Sequence, residues 1–252
     1  VSEQLPAPDP ARFPELDADP GWVLSVPTGT LIARIFRAGG AHPVAWHEFR
    51  TFGPLDGRFD PHPLPVGEHE GVGVLYGVLE AEAEAEAEAE AGRVGEAVGG
   101  PARSGASAVS GPPRGAVGGA FAAALLEVFQ AQRMIRLRDG SPTLAAFEAT
   151  RPLRLLDLSD SDWITVAGGN AAISSGDRER SRAWARAIAQ RYPELDGVVS
   201  ASSLVPDARV VALWAGAADA LPRHPAALLP LGRDELIGVI DRIAERYGYL
   251  VL

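Results

Sequence analysis

The sequence predicts a mixed α+β fold in which central β-strands are flanked by helices. Several short β-branched stretches have strand length, amphipathic stretches of helical period stand between and after them, and the two kinds do not alternate in a regular βαβ rhythm. That order disfavours a doubly wound parallel sheet. A chain of 252 residues is long enough to bury a sizeable core, and its 46% apolar content is ordinary for a globule.

Residues 1–28 are rich in Pro, Asp and Glu and read as an extended lead-in with room for one short helix. A single domain is expected over 29–252. It opens with TLIARIF (30–36), an alternating β-branched strand. The segment 49–67, FRTFGPLDGRFDPHPLPVG, is dense in Gly and Pro and reads as an irregular loop, and GVGVLYGVL (71–79) as a second strand. A low-complexity insertion at about 80–118 follows. It begins with alternating Ala and Glu, good helix formers set at a strand's period, and continues in Gly, Ser, Pro and Ala with almost nothing large to bury.

Order is expected to return with a helix over 120–135, with Phe121, Leu125, Val128 and Gln132 on one face. SPTLAAFEAT (141–150) offers a Ser cap and an early Pro, and reads as a second, short helix. RLLDLSD (154–160) reads as a strand, 174–192 as a helix with its acidic residues early, 196–203 and 208–216 as strands, and 234–248 as a closing helix.

Composition excludes several classes. With a net charge of −10, nonspecific nucleic-acid binding and attachment to anionic membranes are disfavoured. No Cys is present, which removes disulfides, thiolate metal sites and Cys nucleophiles. The five His residues show no paired spacing on a helix, so no metal site is expected. There is no P-loop, no GxSxG elbow and no complete dinucleotide fingerprint. The N-terminus lacks the pattern of a leader and no apolar run reaches membrane-spanning length, so a cytoplasmic protein without membrane contact is expected. Lys is absent and all 23 basic residues are Arg, so an Arg is not notable merely for its type.

Four residues carry charge or polarity against the pattern. Glu127 is the only charged residue between Gly115 and Gln132, on a helix that is apolar or small-sided all round. A carboxylate there needs a cation, a hydrogen-bonding ligand or a proton, and either a structural salt bridge or a functional site satisfies it. Arg34 stands on a strand among Ile32 and Phe36, either reaching solvent at an edge or presented to a phosphate or carboxylate. Arg58 lies in a loop set by Pro54, Gly57 and Pro61, as an exposed turn residue or a ligand group. Ser202 ends a strand, as a local cap or a hydrogen-bond donor to a ligand. The clustered Arg178, Arg180, Arg182 and Arg186 read as a solvated helix face balanced by Asp177 and Glu179.

In order along the chain, LIARIF, FGPLDGRFDPHP, GVLYGVL, AALLEVFQAQR, RLLDL, DGVVSASS and VVALW resemble the RES domain, a family named for an Arg, a Glu and a Ser. The resemblance runs from about Thr30 to the C-terminus outside the insertion. It implies an ADP-ribosyltransferase-like fold and the toxin of a toxin–antitoxin pair, neutralised by an Xre-type helix-turn-helix partner. It also implies cleavage of NAD⁺ at the nicotinamide–ribose bond, with phosphate as a co-substrate in at least one member and no resident cofactor. Some relatives transfer ADP-ribose to a protein instead, and a non-catalytic interaction module of the same fold is the alternative from another class. Oligomeric state is left open. By this resemblance Arg34 and Glu127 match the catalytic residues, while Arg58, Tyr76 and Ser202 match substrate-binding positions. Tyr76 is implied to stack on nicotinamide and Ser202 to hydrogen-bond a phosphate. The chain departs from the family pattern at Pro61, at Ser200 and in the insertion, which separates Tyr76 from Glu127.

Overall fold

In the computed structural model, residues 4–80, 119–205 and 207–252 are described. Beyond Glu80, the expected low-complexity insertion lies outside them. The segment read as a lead-in does more than lead in. Its three short 3-10 turns, Pro10–Arg12, Leu16–Ala18 and Pro20–Trp22, run into strand β1 (Val23–Val26), and Phe13, Leu16 and Trp22 are buried. Asp9 and Asp19 cap two of these turns by accepting from Ala11 N and Gly21 N.

Strand β2 (Leu31–Arg37) follows, then a two-residue pair, β3 (Phe52–Gly53) and β4 (Gly67–Glu68), inside the Gly/Pro loop, and β5 (Val74–Leu79). Helix α1 (Gly119–Phe129) ends six residues earlier than the sequence pattern predicts. Arg133 takes a positive φ of 50°, and Met134–Ile135 become β6 instead of a last helical turn. The segment read as a short helix at 141–150 is β7 (Pro142–Glu148). This corrects the sequence expectation. β7 lies between two strands and is buried on both faces from Pro142 to Phe147, so it carries no polar alternation to mark it as a strand. Then come β8 (Leu153–Asp157), the short helices α2 (Trp163–Val166) and α3 (Ala172–Ser175), and α4 (Arg178–Arg191), whose N-cap Asp177 accepts from Arg180 N at 2.8 Å. The chain closes with β9 (Gly197–Ala201), β10 (Arg209–Trp214), β11 (Ala227–Pro230), α5 (Asp234–Tyr247) and β12 (Leu250–Val251).

Eight strands form one sheet in the order β1-β8-β9-β10-β5-β2-β7-β11. All neighbours are antiparallel except β8 and β9, which α2, α3 and α4 connect as a crossover. Strand parity divides the core. One face buries Ile32, Leu75, Phe147, Leu155, Val199 and Leu213 beneath Trp46 and the 3-10 turn at Ala215–Ala220. The other face carries two separate helical layers. Over β8, β9 and β10, the α4 residues Trp184 and Ile188 pack with Trp163, Phe13, Trp22 and Tyr192. Over β2, β5 and β7, α1 and α5 pack through Phe121, Leu125, Leu236 and Ile240.

Two consequences position the site. The helical layers are distinct clusters, so a gap is left on that face above β9, β10 and β5. In addition, β2 and β5 pair only at Ile32↔Leu79 and Ala33↔Val78, and they part beyond Ala33. Gly77 stands where they part, and a Cβ there would meet Ile32 Cγ2 at 2.7 Å, so only glycine lets the strands close up to this point.

Candidate functional site

A cavity of about 340 Å³ occupies the gap between the helical layers. Its floor is a row in register across three strands, Ser200, Val210 and Val78. Glu127 and Ala124 of α1 form one wall, Ser174 of α3 and Arg178 of α4 the opposite one. Arg34 enters from β2 where it leaves β5, and Gly57 and Arg58 enter from the Gly/Pro loop. Four of the five residues singled out from the sequence, Arg34, Arg58, Tyr76 and Glu127, therefore line one cavity, and the fifth, Ser202, bonds to Glu127.

Glu127 is partly buried and held at both oxygens. Ser202 Oγ donates to Oε1 at 2.8 Å, and Gln130 Nε2 donates to Oε2 at 3.0 Å and to the Glu127 carbonyl at 2.8 Å. Among the described residues the carboxylate meets hydrogen-bond donors instead of a salt-bridged Arg. Ser202 Oγ also accepts from Leu204 N at 3.1 Å and Val205 N at 3.2 Å. Its one donor and both acceptor positions are thus in use, and in this arrangement it has no free donor for a phosphate. The hydroxyl instead fixes the Glu127 rotamer and the turn after β9.

Arg34 is tethered to main-chain carbonyls, donating from one terminal nitrogen to Trp46 O at 2.8 Å and Glu48 O at 3.4 Å, with the guanidinium 5.6 Å from the Phe36 ring centre. Its Nε is buried without a hydrogen-bond partner among the described residues. Burial lowers its pKa to about 10, against a smaller opposing pull from Glu48, so it stays charged at neutral pH. Arg58 donates to Gly176 O at 2.7 Å and Ser181 Oγ at 3.3 Å. Burial, and then the charge of Arg178, lowers its pKa, while Glu127 and Asp177 act in the other direction. Among the described residues, Arg34, Arg58 and Arg178 make no ion pair with a carboxylate, unlike Arg50, Arg151, Arg191 and Arg209.

Tyr76 is tucked beneath the loop. Its hydroxyl is buried with no hydrogen bond of good geometry, and the Phe59 backbone amide approaches it only loosely. Burial, reinforced by the charge of Asp60, raises its pKa and keeps the phenol neutral. A Cβ on Gly57 would lie 2.3 Å from the Tyr76 hydroxyl, so glycine is what allows the Arg58 loop to lie on the ring.

The loop is organised by a residue that the sequence reading passed over. Asp60 is fully buried and accepts from Arg50 at 2.7 Å, Leu55 N at 2.9 Å and His62 N at 3.1 Å, and its Oδ1 also contacts His62 Nδ1. Burial alone would raise its pKa, but these hydrogen bonds outweigh burial and lower it. Trp214 Nε1 donates to Phe59 O at 3.3 Å and fastens the loop to β10. Arg178 was also missed, because it was grouped with Arg180, Arg182 and Arg186 on a solvated face. Nothing in its immediate sequence separates it from them, since only the crossover geometry brings the first residue of α4 to the cavity. Among the described residues, no three His, Asp or Glu side chains are grouped as metal ligands, and no helix is long and apolar enough to cross a membrane.

No family model matches the chain, and no curated protein matches it. Among solved structures it is similar to the crystal structure of the M. tuberculosis MbcT-MbcA toxin-antitoxin complex, with 16% identity, a TM-score of 0.41, and coverage of 81% of this chain and 82% of that one.

Proposed function

We propose that this protein is an NAD⁺-consuming enzyme of the RES type that cleaves the nicotinamide–ribose bond, and the toxin of a toxin–antitoxin pair. The observation that carries the reading is a carboxylate, Glu127, fixed at both oxygens on one wall of a cavity that also holds arginines with no carboxylate partner among the described residues.

That charge pattern suits the reaction. As the bond from ribose C1″ to the nicotinamide nitrogen breaks, its electron pair leaves with neutral nicotinamide and positive charge builds on the ribose. A preorganised carboxylate stabilises that charge and accepts a hydrogen bond from a ribose hydroxyl, with no reorganisation at the moment of reaction. Arg34 and Arg58 supply donors for the pyrophosphate of the dinucleotide or for an incoming phosphate. In phosphorolysis a phosphate oxygen forms the new bond to C1″, giving ADP-ribose-1″-phosphate. Tyr76, which lines the cavity beneath the Arg58 loop, is the aromatic residue this reading assigns to nicotinamide. Ser202 and Gln130 act through Glu127 as positioning residues. A helix-turn-helix antitoxin is the partner this reading implies.

The test is NAD⁺ turnover by the purified chain with and without inorganic phosphate, separating nicotinamide, ADP-ribose and ADP-ribose-1″-phosphate. Phosphate-dependent loss of NAD⁺ is the expected result. Phosphate-independent loss would mean hydrolysis or transfer to a protein acceptor, and no loss from folded protein would sink the enzyme reading in favour of an interaction module.

A further inference from the structure

Arg178 opens the 14-residue helix α4 and lines the same cavity as Arg58. It donates to Asp56 O at 3.2 Å, as Arg58 donates to Gly176 O and Ser181 Oγ, so both guanidinium groups are held by neutral acceptors. Each guanidinium carries five N–H donors, and these contacts leave most of them unused. The two cations stand close enough for Arg178 to be the main charge opposing protonation of Arg58. The acidic groups around them have other partners or other neighbours. Asp177 caps α4 through Arg180 N, and Glu127 is engaged by Ser202 and Gln130. Asp56 lines the cavity but meets Arg178 through its carbonyl. Glu127 and Asp177 offset part of the repulsion between these two tethered cations, an anion between them would offset it further, and two planar forks suit a tetrahedral oxyanion.

We propose that Arg58 and Arg178 together form a subsite for a phosphate-type oxyanion at the α4 end of the cavity, apart from Arg34 at the β2 end. This inference rests on the functional reading above and deepens it, since it assigns a binding residue that the sequence resemblance does not supply. The ligand group is either the pyrophosphate of the dinucleotide or free orthophosphate.

The experiment uses the full chain in phosphate-free buffer and compares wild type with Arg178→Gln. Arg242→Gln, an exposed site on α5 outside the cavity lining, is the control for lost charge. Inorganic phosphate and ADP-ribose are titrated separately by calorimetry, and thermal melting confirms that each variant is folded. Arg178→Gln is expected to weaken one of the two ligands by about tenfold, while Arg242→Gln leaves both unchanged. Weakened orthophosphate binding, with a raised KM for phosphate, identifies the subsite as that of the nucleophile. Weakened ADP-ribose binding, with a raised KM for NAD⁺, identifies it as the pyrophosphate clamp. The proposal is overturned if wild type binds neither ligand, or if Arg178→Gln binds both as wild type does. Arg178-dependent binding without release of nicotinamide from NAD⁺ would uphold the subsite and reject the catalytic reading.

Discussion

The Ser202 hydroxyl donates to Glu127 Oε1 at 2.8 Å, tying the end of β9 to α1 across 75 residues of sequence. The same oxygen accepts from Leu204 N and Val205 N, so one hydroxyl couples a turn to a carboxylate. Ser202→Ala should cost about 1 kcal/mol of stability in chemical denaturation. It should also lower kcat for nicotinamide release about tenfold, with KM for NAD⁺ little changed, as befits a positioning residue. Ser202→Thr keeps the hydroxyl and should restore both quantities. An Ala variant with wild-type kcat would show that the contact is structural alone.

Glu127→Gln preserves size but removes the charge and turns one of the two accepting oxygens into a donor. Its melting temperature should stay close to wild type, while kcat for NAD⁺ cleavage falls by about 10²–10³-fold. Unchanged turnover would remove Glu127 from the chemistry.

The buried Asp60 predicts an acid sensitivity. Its pKa is lower in the folded protein than in the unfolded chain, because hydrogen bonds from Arg50, Leu55 N and His62 outweigh its burial. A group of this kind adds stability above its unfolded pKa of about 3.9, and that stability is lost as pH falls through the folded value. Asp60→Asn should therefore destabilise the protein at neutral pH, by about 3–5 kcal/mol if the Arg50 pair is fully broken. The difference between variant and wild type should narrow in denaturation curves taken at progressively lower pH. A pH-independent difference would contradict the linkage.

Gly57 and Tyr76 should be energetically coupled. Gly57→Ala puts a methyl 2.3 Å from the Tyr76 hydroxyl and should cost about 1–3 kcal/mol through overpacking. Tyr76→Phe removes a buried hydroxyl that lacks a well-formed hydrogen bond, and alone should be near neutral. The double variant should recover much of the Gly57→Ala loss. Additive effects in a double-mutant cycle would refute the contact.

Most elements with an amphipathic period were legible. Strands β2, β5, β8, β9 and β10 and helices α4 and α5 stand close to where alternation and capping residues put them. β7 was misread as helix because Pro142–Phe147 is buried on both faces, which erases the period of two and leaves Ser141 and Pro142 to mimic a helix start. β11 and the packing of the lead-in against the core went unread for a related reason. Their order comes from partners far along the chain, such as β7 for Ala227–Pro230 and Trp184 for Phe13. At the site, Glu127 and Arg34 stood out as charges set against an apolar pattern. Asp60 and Arg178 did not, because their settings, a buried loop anchor and a crossover corner, are tertiary facts.

The position of β10 bears on how the molecule comes into being. Among the described residues it is the only strand joining β1, β8 and β9 to β5, β2, β7 and β11, and it contributes Val210 to the cavity floor. Until Arg209–Trp214 has left the ribosome, β9 and β5 lack the strand that stands between them, and the walls bearing Glu127 and Arg178 have no common floor. Long-range pairing of this kind is slow and comes late. Translation of most of the chain therefore precedes assembly of the cavity, and a product cut short before Arg209 should have no working site.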